Sequence, residues 1–209
     1  MDFHAARQNM VESQVRVNDV TDPALQLAMR HVERERLCAP SQAFGAYGEV
    51  EAVICPGRAL MKPRDIAKLL QALEPRAGET ALALAAPFAA AVLASIGVVA
   101  TAQEADPRAM SVMEPYLREL GAATLVADLK APGGKDYDII VSEGAVAELP
   151  AAWLRALKVG GRLAVVLKDG PVGRARLYIR LETGFSEREV FDSSPSTLPG
   201  FERSLTFEF

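Results

Sequence analysis

From Thr80 to Gln103 the chain carries no charged side chain, and from Glu79 to Ile96 it carries no glycine. A stretch this apolar has two physical outlets, a bilayer or the middle of a protein core. About 20 apolar residues in one helix can span a bilayer. Here alanine dominates, Pro87 and Gly97 interrupt, and Thr80, Ser95, Thr101 and Gln103 dilute the run. It divides into a strand-length segment, a turn, a helix opened by Pro87, and a second strand, Val98–Ala102. No membrane span is therefore expected. A parallel sheet covered by helices can bury such a unit on both faces.

The rest of the chain repeats this pattern. Strands are predicted at 79–85, 98–103, 122–127, 137–142, 162–168, 175–182 and 203–208, and helices between them at 87–96, 107–120 and 150–158. Gly121, Pro132-Gly133-Gly134, Gly160-Gly161 and Asp169-Gly170-Pro171 punctuate them. The last two strands have no helix between them, which predicts an antiparallel pair at one edge. Residues 3–17 have helical spacing, Asp22-Pro23 opens a second helix to Val32, and Pro63–Leu73 forms a third. Residues 36–62, with Pro40, Gly45, Gly48, Pro56 and Gly57, read as a long irregular connection. The division predicted is one domain over 1–209, with N-terminal helices and a loop region in 1–75 and an α/β core in 76–209.

The net charge of −4 gives no basic face for nucleic acid. Cys38 and Cys55 have neither zinc-ligand nor disulfide-framework spacing and read as thiols of a reducing cytoplasm. The start, Met1-Asp-Phe-His-Ala-Ala-Arg7, lacks the basic and apolar regions of a secretion signal. His4 and His31 have no partner carboxylate motif and are assigned no catalytic role.

Six stretches in order resemble the protein-L-isoaspartate O-methyltransferases. They are Arg7-Gln-Asn-Met-Val-Glu-Ser-Gln-Val-Arg-Val-Asn-Asp-Val-Thr-Asp22, Val32-Glu-Arg-Glu-Arg-Leu37, Ala46-Tyr47, Gly57-Arg-Ala-Leu-Met-Lys-Pro63, Tyr137-Asp-Ile-Ile-Val-Ser-Glu-Gly-Ala145 followed by Pro150, and Leu157-Lys-Val-Gly-Gly-Arg-Leu163. The resemblance implies a class I methyltransferase fold, Rossmann-like and doubly wound, with a mostly parallel sheet and an N-terminal helical layer. It also implies S-adenosylmethionine as cofactor and methyl transfer to the free carboxylate of isoaspartyl residues in damaged protein, the first step of repair. That chemistry needs orientation and an in-line approach, with no covalent intermediate.

The chain departs from the family where the cofactor would lie. The family's first strand leads into a loop with three close glycines. Here the loop falls within Ala83-Leu-Ala-Ala-Pro-Phe-Ala-Ala90, with Ala85 and Ala86 at its centre. Two or three left-handed residues without glycine would cost roughly 1–2 kcal/mol each, against about 8 kcal/mol for a micromolar ligand. The family's ribose-binding acid follows the second strand, where Ala102 is the expected equivalent. Glu104 can serve if the register slips. Asp128, after the third strand, matches an acid near the adenine; Glu143 ends the fourth strand at the cleft. Met61 stands where many members have a serine in the substrate loop, and Arg58, Lys62 and Arg64 are candidates for a cationic rim. The expectation drawn is a family member that has lost S-adenosylmethionine and acts with a protein partner or as a homo-oligomer, with no cofactor. The alternative is a working carboxyl methyltransferase with a rebuilt loop.

Overall fold

The computed structural model describes residues 2–203. In chain order the elements are α1 (Phe3–Met10), α2 (Pro23–His31), β1 (Ala52–Cys55), β2 (Arg58–Leu60), α3 (Pro63–Leu73), β3 (Thr80–Leu84), α4 (Pro87–Ser95), β4 (Val99–Glu104), α5 (Pro107–Glu119), β5 (Ala123–Val126), β6 (Tyr137–Val146), α6 (Ala151–Arg155), β7 (Leu157–Leu167), β8 (Arg174–Arg180) and β9 (Phe185–Asp192). Seven strands make one sheet in the order β5-β4-β3-β6-β7-β8-β9, parallel through β7 and antiparallel from β7 to β9. The strand order reverses between β3 and β6, the switch point at which open α/β sheets bind ligands.

Period-two alternation explains why β3 is buried on both sides. Ala81 and Ala83 face one core with α4, while Leu82 and Leu84 face a second core around Trp153 and Phe201. The alanines are small because α4 lies on them. Pro87 through Leu93 are all buried, and α4 reaches solvent only at its last turn, at Ser95. The uncharged segment is thus a central strand, a helix buried along all but its last turn, and the next strand. In α3, Ile66, Leu69, Leu70 and Leu73 form the buried stripe, with Pro63 at the first helical position. Arg162 of β7 grips Glu79 with two parallel hydrogen bonds of 2.8 Å, fixing the start of β3.

Four readings of the sequence need correction. Residues 36–62 contain a hairpin, β1 with β2, closed by Pro56-Gly57 with Gly57 at φ +82°. The helix predicted at 150–158 ends at Arg155 because Leu157 already pairs with Tyr137. The antiparallel partner of β8 is β9, at 185–192, a strand the sequence reading missed. The strand predicted at 203–208 lies almost wholly outside the described residues. Strand β6 runs past its predicted end at 142 through an irregularity at Gly144. There φ is +127°, and a Cβ would stand 2.5 Å from Leu198 Cδ2. Only glycine lets the segment Ser196–Leu198 lie against that strand end.

Candidate functional site

The parallel register brings three strand ends into one row. Leu84 is level with Gln103 of β4 and with Ser142 of β6, so Ala85, Glu104 and Glu143 stand one place further on. Glu104 is the last residue of β4. Glu104, the residue expected to serve if the register slipped, stands at this strand end because β4 continues two residues beyond Ala102. Ala102 lies inside the strand and packs in the core.

The turn from β3 to α4 is only Ala85 and Ala86. Ala85 has φ +50°, the left-handed conformation that a glycine would take more readily. Ala86 is the N-cap residue but has no side chain able to cap, and Pro87 and Phe88 begin the helix. The missing cap comes from β6. Glu143 Oε1 accepts from Ala89 N at 2.9 Å, and Oε2 accepts from Met61 N at 3.3 Å. A carboxylate at a helix N-terminus is favourably placed. Burial nevertheless pushes the Glu143 carboxyl up from its ordinary value, outweighing the attraction of Arg34 and the two amide hydrogen bonds.

Glu104 is equally committed. Its Oε1 accepts from Ala105 N at 2.8 Å and Asp106 N at 3.1 Å. Its Oε2 accepts twice from Arg58, from Nε at 3.0 Å and Nη2 at 2.9 Å. The same Nη2 donates to Ala85 O at 2.9 Å. Arg58 comes from the hairpin and is 5% exposed; Glu104 is 1% exposed, and Ala85, Ala86, Phe88 and Glu143 are no more open. The row is closed over by protein atoms.

Arg34, which the sequence did not single out, supports this closure. It is fully buried, donates from Nε to Ala46 O at 2.7 Å and from Nη2 to Met61 O, and stacks over Phe88 at 4.7 Å. Burial pushes its guanidinium down from the ordinary value, against the pull of Glu143. The rim expected of Arg58, Lys62 and Arg64 is not assembled as such, because Arg58 points to Glu104. Lys62 and Arg64 do share a small recess with Gln14 and Glu49, although Arg64 is paired with Asp65 at 2.9 Å. Met61 is buried. Asp128 is exposed and closes a turn by accepting from Lys130 N at 2.9 Å; Gln103 Nε2 holds its carbonyl at 2.8 Å. Among the described residues no cluster of His, Cys, Asp and Glu could hold a metal ion, and no helix is long and apolar enough to cross a membrane.

A protein-L-isoaspartate O-methyltransferase of Methylorubrum populi is 33% identical over 197 residues, covering 91% of this chain and 92% of that protein. The chain belongs to the protein-L-isoaspartate O-methyltransferase family. The family protein of Methylorubrum extorquens is 32% identical over 91% of this chain and 85% of its own length. No protein-family model matches. Among solved structures, one protein-L-isoaspartate O-methyltransferase superposes with a TM-score of 0.76 at 17% identity, over 93% of this chain and 66% of that longer chain. A protein of the same description from Plasmodium falciparum, in complex with S-adenosyl-L-homocysteine, gives 0.72 at 15% identity over 92% of this chain and 97% of that one. At such identities these two establish the fold alone: the mostly parallel class I methyltransferase sheet with antiparallel edge strands.

Proposed function

We propose that this chain is an S-adenosylmethionine-dependent protein carboxyl O-methyltransferase acting on isoaspartyl residues, with a rebuilt cofactor site that is shut in the ligand-free protein. Glu104 carries the proposal. The expectation of lost cofactor binding rested on two simultaneous losses, the ribose acid and the glycine loop. Glu104 ends β4 beside the β3 turn and at the switch point, a position that supports its use as the ribose acid. The loop costs less than expected, since between β3 and α4 only Ala85 takes a positive φ. One left-handed alanine amounts to about 1–2 kcal/mol, well short of the roughly 8 kcal/mol of a micromolar ligand. The names of the Methylorubrum relatives support the same activity.

The donor chemistry fits the cofactor at its ribose end. Glu104 would hold the hydroxyls once Arg58 has left it, with Asp128 beyond β5 on the adenine side and the Ala85-Ala86 turn alongside. When bound, the cofactor supplies an electrophilic sulfonium methyl. Glu143 has both oxygens committed and serves by holding α4 and the Met61 backbone in position. The recess of Lys62, Arg64, Gln14 and Glu49 offers cationic groups to a substrate carboxylate. An isoaspartyl carboxylate is already ionised at neutral pH, so no general base is required.

One observation favours the runner-up, a non-catalytic family member that works through a protein partner or a second copy. Ala85, Ala86, Phe88, Glu104 and Glu143 are all essentially inaccessible, and Arg58 bonds to both Glu104 and Ala85 O. The deciding test is calorimetric titration with S-adenosylmethionine, followed by methyl transfer to an isoaspartyl peptide. Micromolar binding with turnover supports the enzyme. No binding at millimolar ligand and no transfer at high protein concentration supports the non-catalytic reading.

A further inference from the structure

Arg58 occupies the hydrogen-bonding position that the proposed cofactor needs, and it does so from an element outside the main sheet. The β1–β2 hairpin is a separate two-stranded sheet. Its last register pair, Cys55 with Arg58, flanks the Pro56-Gly57 turn. Both residues engage the turn after β4: the Cys55 thiol donates to Asp106 Oδ2 at 3.7 Å, and Arg58 to Glu104. The guanidinium also bridges across to Ala85 O of the neighbouring strand end. It therefore ties β3, β4 and the hairpin together at one point. A vicinal diol donates two hydroxyl hydrogens to a carboxylate. Glu104 Oε1 is saturated by two backbone amides, so Oε2 is the oxygen with capacity to offer, and Arg58 holds it twice.

We propose that Arg58 is an affinity-setting latch: it acts as an internal competitor for Glu104, and a diol-bearing nucleoside ligand binds only when the hairpin tip releases it. This rests on the cofactor reading above and adds the residue that controls access. A ligand binding a minor, open population has its affinity reduced by the fraction that is open. Removing the competitor raises apparent affinity without adding a contact to the ligand. That outcome is opposite to the loss produced by deleting an ordinary binding residue.

The experiment is calorimetric titration of S-adenosylhomocysteine into the wild-type chain, Arg58→Ala and Arg58→Gln, with circular dichroism to establish folding. Arg58→Gln keeps a long neutral side chain and serves if Arg58→Ala does not fold. The expected result is at least tenfold tighter binding in the folded variants, equivalent to about 1.4 kcal/mol. Equal affinities in all three chains, or weaker binding in the variants, overturn the latch and leave the cofactor reading standing. Binding in no folded chain at millimolar ligand overturns both, because the site then stays shut without Arg58.

Discussion

Ala85 and Ala83 are two residues apart, both buried, and differ in backbone conformation. Replacing either by glycine removes a buried methyl, about 0.8 kcal/mol, and loosens the unfolded chain by about 0.4–1 kcal/mol. Only at Ala85 does the substitution also relieve left-handed strain, about 1–2 kcal/mol. Ala85→Gly should therefore be close to neutral in urea unfolding, and Ala83→Gly should be worse by at least about 1 kcal/mol. Equal losses would show that the turn is unstrained. Glu143 makes a pH prediction. Its carboxyl is raised above the ordinary 4.5, so between those values the folded state holds a proton that the unfolded state has released. Stability falls as pH rises through that window, and the contribution is whole only below the unfolded value. The free energy required to unfold wild type, relative to Glu143→Gln, should be larger near pH 5 than near pH 8. A difference independent of pH would mean that the buried carboxyl titrates normally. At this scale the sequence singled out Ala85, Glu104 and Glu143, which the parallel register brings to one row of strand ends. It could not show that Glu104 ends its strand, since strand boundaries depend on neighbouring strands.

Among the elements, α4 accounts for the missing charges in the sequence. Along Pro87–Leu93 it is buried on every side and has no water-facing position where a charge could remain solvated. Helix α5 is the opposite case, amphipathic and carrying Pro115 in its third turn on the exposed side. Proline there removes a backbone donor and crowds the preceding turn. Pro115→Ala should raise stability by roughly 1 kcal/mol or more in thermal or denaturant unfolding. A loss would indicate that Pro115 itself is needed beside the Arg36 and Cys38 segment, with which it lines a shallow recess. Most helices and the five parallel strands were legible because their apolar period is strong. The β1–β2 hairpin was missed because strands of four and three residues hardly show a period. The Pro56-Gly57 dipeptide was the available signal for its turn. β9 escaped for a different reason: its exposed, charge-rich run Ser186–Arg188 lacks the apolar alternation of a half-buried strand.

For the molecule as a whole, ligand binding and stability are linked. S-adenosylhomocysteine at about 100 times its Kd should stabilise the fold by about 2.7 kcal/mol, which at this chain length raises Tm by roughly 5–10 °C. An unshifted Tm at millimolar ligand would support the non-catalytic reading. The sequence by itself determined the five parallel strands, most of the helices and the burial of most of residues 80–103, because periodicity and composition are properties of contiguous residues; the family was legible from the resemblance of six short motifs in order. The tertiary structure alone decided what Arg58, Arg34 and Glu143 do. Arg58 and Glu104 are 46 positions apart, and Glu143 and Met61 are 82 apart. Their contacts exist only after the switch point and the hairpin have brought those strand ends together, and no local pattern in the chain encodes that meeting.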